Sequence, residues 1–195
     1  MAAERARPLR ADAQANQDRI LEAAARAFTR DGADASLKGI AQEAGVGIGT
    51  LYRRFPTRED LIEALYRNQT AALCDAATSL LDANPPALAL RTWMDRFVDY
   101  VATKHGMAEA LQAVLATHND LRMRTRGMLG DAVARLVRAG VAAGTIRADI
   151  DTADVLMALS GVTLVAGEPA QRDQAARLLD LLMAGLEPRG PQPGE

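Results

Sequence analysis

Apolar residues recur every three to four positions along almost the whole chain. Ile20, Leu21, Ala24, Ala27 and Phe28 share one face at helical spacing and predict a first helix from about Asn16 to Arg30, ended by Asp31-Gly32. Ser36 is placed to cap a second helix running to Ala44. A third runs from about Ile48 to Arg54, with Gly47 at its start, until Phe55-Pro56 breaks it. Thr57, followed three residues later by Asp60, opens a fourth helix that continues through Leu61, Leu65, Leu73 and Leu80 to Asn84-Pro85-Pro86. Beyond Pro86 come a helix with Leu90, Trp93, Met94, Phe97, Val98 and Val101, a short one with Leu111 and Val114, and a long one from about Asn119 to Ala143. Asp151 caps the next, and a last helix carries Leu178, Leu179, Leu182 and Leu186. Neither the two-residue alternation of a strand nor an internal repeat interrupts this pattern, so the expected fold is all-α with about nine helices.

One segment has more specific content. Between Ile40 and Phe55 two short helices are separated by Gly45, a residue that adopts a left-handed backbone without steric penalty. Ala41 is small enough for a second helix to cross close to the first, and Val46 fills the angle between them. With Leu51 and Phe55 facing inward, Thr50, Tyr52, Arg53 and Arg54 face out. This is the layout of a helix-turn-helix, which lays its second helix into the major groove of DNA.

The run from Ile20 to Leu65 closely resembles the N-terminal domain of the tetracycline-repressor (TetR) family of bacterial regulators. The match is carried by Ile20, Ala24, Phe28, Gly32, Ile40, Ala41, Ala44, Gly45, Val46, Thr50, Leu51, Tyr52, Phe55 and Leu61. Further on, the segments from Phe97 to Gly106 and from Ala139 to Asp149 resemble the SbtR-like subgroup. The resemblance implies a DNA-binding head followed by a helical sensing and dimerisation body. The expected organisation is a flexible arm at 1–15, a helix-turn-helix domain at 16–56, a ligand-binding and dimerisation domain at 57–187 and a disordered tail at 188–195.

Composition changes the picture only in places. The net charge of -2 does not announce a nucleic-acid binder, and of 23 basic residues only Lys38 and Lys104 are lysine. The first 70 residues carry eleven basic and ten acidic groups, so arginine placement, not abundance, has to carry any DNA reading. Aromatic residues make up 4% of the chain, which favours helices over sheets. No apolar run is long enough to span a membrane. Arg5, Arg7 and Arg10 precede no apolar core, so no secretion signal is expected, and a single cysteine excludes an internal disulfide and suits the cytoplasm. These arginines are read as a solvated tail over a minor-groove arm. No Ser-His-Asp set, phosphate-binding glycine loop or acid pair stands out, so neither enzyme activity nor a cofactor is expected. His105 and His118 form a poor metal signature, and Cys74 reads as a small half-buried residue.

By resemblance, Ile48 and Gly49 lie at the front of the recognition helix, where the family reads bases, and Lys38 reaches a base or phosphate from the preceding helix. Thr50, Tyr52, Arg54 and Arg58 match phosphate-contacting positions. Gly47 departs from the serine often found there. With no side-chain hydrogen bond from Gly47, Ile48 or Gly49, base readout falls to thymine methyl contacts, Lys38 and an inward-turned Arg53. The resemblance also implies a cavity in the body, for which Trp93, Phe97, Tyr100, Met107, Leu111, Met123, Met128 and Met157 are the candidate walls, with Gln112, Asn119 and Thr163 as polar contacts. Leu156, Leu159, Leu178, Leu179, Leu182 and Leu186 are the candidate dimer contacts of a four-helix bundle around a two-fold axis. The expected function is therefore a homodimeric repressor, released from a palindromic DNA operator by an unknown small-molecule effector. The competing reading is a helical small-molecule- or partner-binding protein whose head no longer reads DNA.

Overall fold

The structure, a computed structural model, describes residues 2–105, 107–166 and 169–188, with side chains at 12–104, 107–166 and 170–188. Among these residues the secondary structure is nine α-helices and two single 3-10 turns, with no strand. The helices are α1 (Ala2–Asp31), α2 (Leu37–Glu43), α3 (Ile48–Arg54), α4 (Arg58–Ala83), α5 (Pro86–His105), α6 (Ala108–Thr117), α7 (Asn119–Ala142), α8 (Thr152–Ala166) and α9 (Arg172–Leu186). The chain divides into two compact units, one of residues 1–68 with 103–118, the other of 69–102 with 119–195. The expected boundary at 56/57 falls inside the first.

The helix limits follow local chemistry. Ser36 Oγ accepts the Gly39 amide at 3.0 Å and caps α2. At the start of α4, Thr57 Oγ1 accepts the Asp60 amide at 3.0 Å while Asp60 Oδ2 accepts the Thr57 amide at 3.0 Å, a reciprocal capping box. Asp151 Oδ1 accepts the Ala153 amide at 2.8 Å ahead of α8. The N-terminus departs from expectation, because helix begins at Ala2 and not near Asn16. That stretch has no apolar stripe, but alanine, arginine and glutamine favour helix by intrinsic propensity alone. The side chains of Arg5, Arg7 and Arg10 lie outside the described residues, as do that of His105 and tail residues 189–195.

In the first unit, Ile20, Ala23, Ala24, Ala27 and Phe28 of α1 are buried with Ile40, Ala41, Leu51, Phe55, Leu61, Ile62 and Leu65. The link from α2 to α3 turns on Gly45, at φ +66°. The Gly45 amide donates to Gln42 O at 3.1 Å and the Val46 amide to Ala41 O at 3.0 Å, satisfying carbonyls that the end of α2 leaves open. The Lys104 ammonium lies over the Tyr66 ring, 4.8 Å from its centroid. That contact favours the charged form, but burial prevails and pulls the lysine pKa down to about 7.

In the second unit, α7 turns Leu121, Thr125, Leu129, Ala132, Val133, Leu136 and Val137 inward. Trp93, fully buried, donates its indole N–H to Leu73 O at 2.8 Å, and Thr70 Oγ1 and Tyr100 OH share a buried hydrogen bond of 2.8 Å. Arg91 ties α5 to α9, with Nε 2.8 Å from Asp180 and Nη1 2.5 Å from Asp95. After α7 the backbone reverses at Gly144, φ +67°, and Ile146 packs against Gly140, where an added Cβ would lie 2.4 Å from Ile146 Cδ1.

Two outcomes are expected. Gly45→Val should destabilise the first unit by about 1–2 kcal/mol in urea unfolding, the usual penalty for an L-residue in left-handed backbone. An added Cβ would meet only Arg19 Nη1, at 3.9 Å, so the effect is backbone strain, and Gly45→Asn should recover much of it. Equal stability of the valine and asparagine variants would contradict this. The second outcome concerns Lys104. Its folded pKa of about 7 lies below the unfolded value of about 10.4, so between these limits the unfolded chain binds the extra proton and stability rises with pH. Lys104→Met should abolish that rise, and an identical pH profile in the variant would count against the buried amine.

Candidate nucleic-acid interface

The outer surface of the first unit is set by how little of α3 is buried. Leu51 is its one buried residue, and Phe55, just past its end, is also buried. Ile48 and Tyr52 are 40% and 48% exposed, large hydrophobic groups left facing solvent. Gly47, Gly49, Arg53 and Arg54 are exposed as well, Thr50 is half-buried, and Lys38 projects from α2. Gly47 begins α3 in extended backbone without any side-chain cap, and a Cβ on Gly49 would meet nothing within 4 Å. The front of α3 is therefore smooth and open enough to approach a duplex closely.

Two cations stand at the other end of this helix. Arg53 Nη2 donates to Thr50 Oγ1 at 3.0 Å, and Arg54 Nη2 donates to Gln17 Oε1 of α1. Both partners are neutral oxygens, and among the described residues no carboxylate pairs with either guanidinium. Between α1 and α3 lies a cleft of about 170 Å³, lined by Ala13, Asn16, Gln17, Ile20, Thr50, Arg53 and Arg54. Elsewhere in this unit Arg26 and Arg30 pair with Glu43 at 2.6 and 3.5 Å and Arg67 with Glu63 at 2.6 Å, while Arg19 donates to the amide oxygen of Asn16.

Arg58 corrects the sequence reading. Its guanidinium donates to Ala35 O at 2.5 Å and Ala33 O at 2.9 Å, and stacks over Phe28 at 5.0 Å from the ring centroid. It fastens the start of α4 to the loop before α2 and is not presented as a free phosphate contact. Sequence position alone did not distinguish an exposed arginine from one drawn onto carbonyls and a ring.

The candidate cavity residues are only partly brought together. In the second unit Trp93, Phe97 and Tyr100 form a buried row, with ring centroids 5.8 and 6.0 Å apart. Met107 and Leu111 are buried in the first unit. Met123, Met128 and Met157 face solvent at 60%, 41% and 63% exposure, so they line no interior wall of their protomer. On α7 the inward register of Leu121, Thr125 and Leu129 leaves positions 123 and 128 outside. Gln112 and Asn119 are exposed, and Thr163 is buried with its hydroxyl on Ser160 O at 2.9 Å. His118 bonds Val114 O through Nδ1 at 3.0 Å, and burial, with Asp75 and Asp131, pushes the Cys74 thiol up to about 11, away from easy ionisation.

The candidate dimer leucines also separate. Leu159, Leu179 and Leu186 belong to the protomer's own core, Leu156, Leu178 and Leu182 are half-buried, and the exposed apolar groups are Met157, Leu164, Val165 and Leu181. On α8 the inward positions Val155, Leu159 and Thr163 follow a four-residue step, which throws Met157, Leu164 and Val165 to the other side. The signal was present in the sequence: apart from Asp154, Ser160 and two threonines α8 is apolar, and its apolar positions are too widely spread for one neighbour to cover. In the same unit a cleft of about 330 Å³, lined by Arg147, Asp149, Ile150, Asp151, Asp154, Val155, Ala158, Leu181, Leu182, Gly185 and Leu186, includes none of the aromatic row.

Known proteins share this architecture. Residues 20–65 match the family described as bacterial regulatory proteins, tetR family, and residues 85–188 match the C-terminal domain of SbtR-like transcriptional regulators. The structure superposes on that of a TetR transcriptional regulator from Streptomyces coelicolor with a TM-score of 0.83 and 52% identity, covering 89% of this chain and 99% of that one. The chain belongs to the TetR family. A TetR transcription regulatory protein from Mycobacterium vanbaalenii is 30% identical, with a TM-score of 0.75 and coverage of 93% and 100%. An HTH-type transcriptional regulator of Staphylococcus aureus is 44% identical over 54 residues, which span 27% of this chain and 29% of that protein. TetR regulators bind DNA operators and are dimers. No helix among the described residues is long and apolar enough to cross a membrane.

For a TetR-family head of this geometry, Tyr52→Ala and Arg54→Ala should each weaken DNA binding by about 1–3 kcal/mol, the order of a hydrogen bond to a charged group. Binding titrations over a salt series check it: Arg54→Ala should also flatten the slope of log affinity against log salt by about one. Unchanged affinity in both variants would remove α3 from the interface.

Proposed function

We propose that this TetR-family regulator is a repressor that binds a palindromic operator as a homodimer and leaves it when a small-molecule effector occupies the body. The reading is supported above all by two arginines, paired with no carboxylate among the described residues, beside Thr50 and Tyr52 on a short, outward-facing helix. Tyr52, Thr50, Arg53 and Arg54 contact phosphates and fix register, while Ile48, the open backbone at Gly49 and Lys38 approach base edges. DNA recognition belongs to 16–56 and sensing and dimerisation to 57–187, in the cytoplasm, without an enzymatic step. Effector binding acts as a coupling free energy between body and head, carried by α4, whose residues enter both units.

A second copy is proposed to cover the exposed apolar face of α8 and α9. Leu164 at 84%, Leu181 at 69% and Val165 at 60% exposure are large apolar groups that a lone protomer leaves in water. A two-fold axis there forms the four-helix bundle and matches the symmetry of a palindromic site. The double variant Leu164→Glu/Leu181→Glu should sediment as a folded monomer and bind DNA weakly, because both positions lie outside the protomer core. Leu179→Glu should instead unfold the body, since that side chain is fully buried. A double variant that remains dimeric would move the interface elsewhere.

The competing reading keeps one observation: Gly47, Ile48 and Gly49 offer no side-chain hydrogen bond to a base. A gel shift with the region upstream of the chain's own gene separates the two. Retardation that survives competitor DNA supports the repressor, and its absence supports a helical ligand- or partner-binding protein with a silent head.

A further inference from the structure

The first unit holds some of its arginines by carboxylates and others, Arg19, Arg53, Arg54 and Arg58, by neutral oxygens. Arg26, Arg30 and Arg67 are paired with carboxylates, at 2.6, 2.8 and 2.6 Å. Arg54, thirty-seven positions from its partner in sequence, is held by the amide oxygen of Gln17. A carboxylate would orient that guanidinium and also cancel its charge. An amide orients it and leaves the charge in place. Gln17 is itself half-buried, on the wall of the cleft that Arg54 and Thr50 share.

We infer that Gln17 is a positioning residue for DNA: from α1 its neutral amide oxygen holds the Arg54 guanidinium at the cleft between α1 and α3, so that a backbone phosphate meets an oriented cation whose charge its partner does not cancel. The inference rests on the DNA-binding reading above. An arginine ordered before association loses less rotamer freedom on binding, and its planar fork is already aimed. The glutamine itself needs no contact with the duplex, and it supplies specificity only through the geometry it imposes. Neutrality is the essential property, which makes the carboxylate analogue the sharpest variant.

The test uses the full-length chain and a duplex selected by it from a random-sequence pool, titrated over a salt series. Gln17→Ala should weaken binding about 3–10-fold with the salt slope unchanged, because Arg54 keeps its charge but loses its order. Gln17→Glu should weaken binding and also flatten the slope by about one, as Arg54→Ala does, because one cation is neutralised before it reaches the DNA. The double variant Gln17→Ala/Arg54→Ala should bind no more weakly than Arg54→Ala alone, since the glutamine acts only through the arginine. Matching melting curves confirm that each variant is folded. Wild-type affinity in Gln17→Ala, additive losses in the double variant, or an unchanged slope in Gln17→Glu would each overturn the inference while Arg54→Ala still loses affinity. If Arg54→Ala binds as the wild type does, the role of α3 fails first and the inference falls with it.

Discussion

A helix of seven residues does not hold together in water by itself, and α3 is such a helix. Everything proposed for the DNA-facing surface depends on its being held from one side only. Leu51 and Phe55 supply the buried anchor, and the left-handed turn at Gly45 fixes the angle at which the helix leaves α2. Because so little of α3 is used for packing, Ile48, Tyr52, Arg53 and Arg54 remain available. Buried Ala23, Ala24, Ala41 and Ala44 let the helices of the head approach closely around Ile20, Phe28, Ile40 and Leu51. Arg58 completes the support from below by closing the loop before α2 onto the start of α4.

In the second unit the governing constraint is register. Each helix spends one face on the protomer core, and what remains depends on whether the opposite face is polar. On α7 the exposed positions are mostly charged, Arg122, Arg126, Asp131, Arg135 and Arg138, with Met123 and Met128 among them. On α8 the opposite face carries Met157, Leu164 and Val165, large apolar groups that the lone protomer leaves exposed. The α5–α9 ion pairs of Arg91 and Arg172 keep α9 in place beside that face.

Helix number, caps and the Gly45 turn were legible in the sequence because each rests on interactions a few residues apart. So was the family, since turn, Thr-Leu-Tyr and closing Phe stand in register. The errors concern side chains whose role depends on distant partners. Arg58 looks like any arginine at a helix start until Ala33, Ala35 and Phe28 are beside it. Leu159 and Leu179 look like their neighbours Leu156 and Leu178 until rotation about the helix axis decides which lies inside. Met123, Met128 and Met157 were grouped by composition, which carries no rotation at all. Gln17 went unremarked because an exposed-looking glutamine on α1 acquires meaning only when Arg54 reaches it. Residues 2–15 differ for the opposite reason: they carry no apolar stripe, and propensity alone extends α1 over them.

The proposed repressor sets two copies of α3 against one side of a duplex, held at fixed spacing by the dimer. Hydroxyl-radical footprinting of the native chain on its own upstream region tests it most directly. Two protected backbone segments are expected, related by a two-fold axis and about one helical turn or a multiple of it apart on the same face of the DNA. A single protected segment, or none at concentrations where the chain is dimeric, would contradict it.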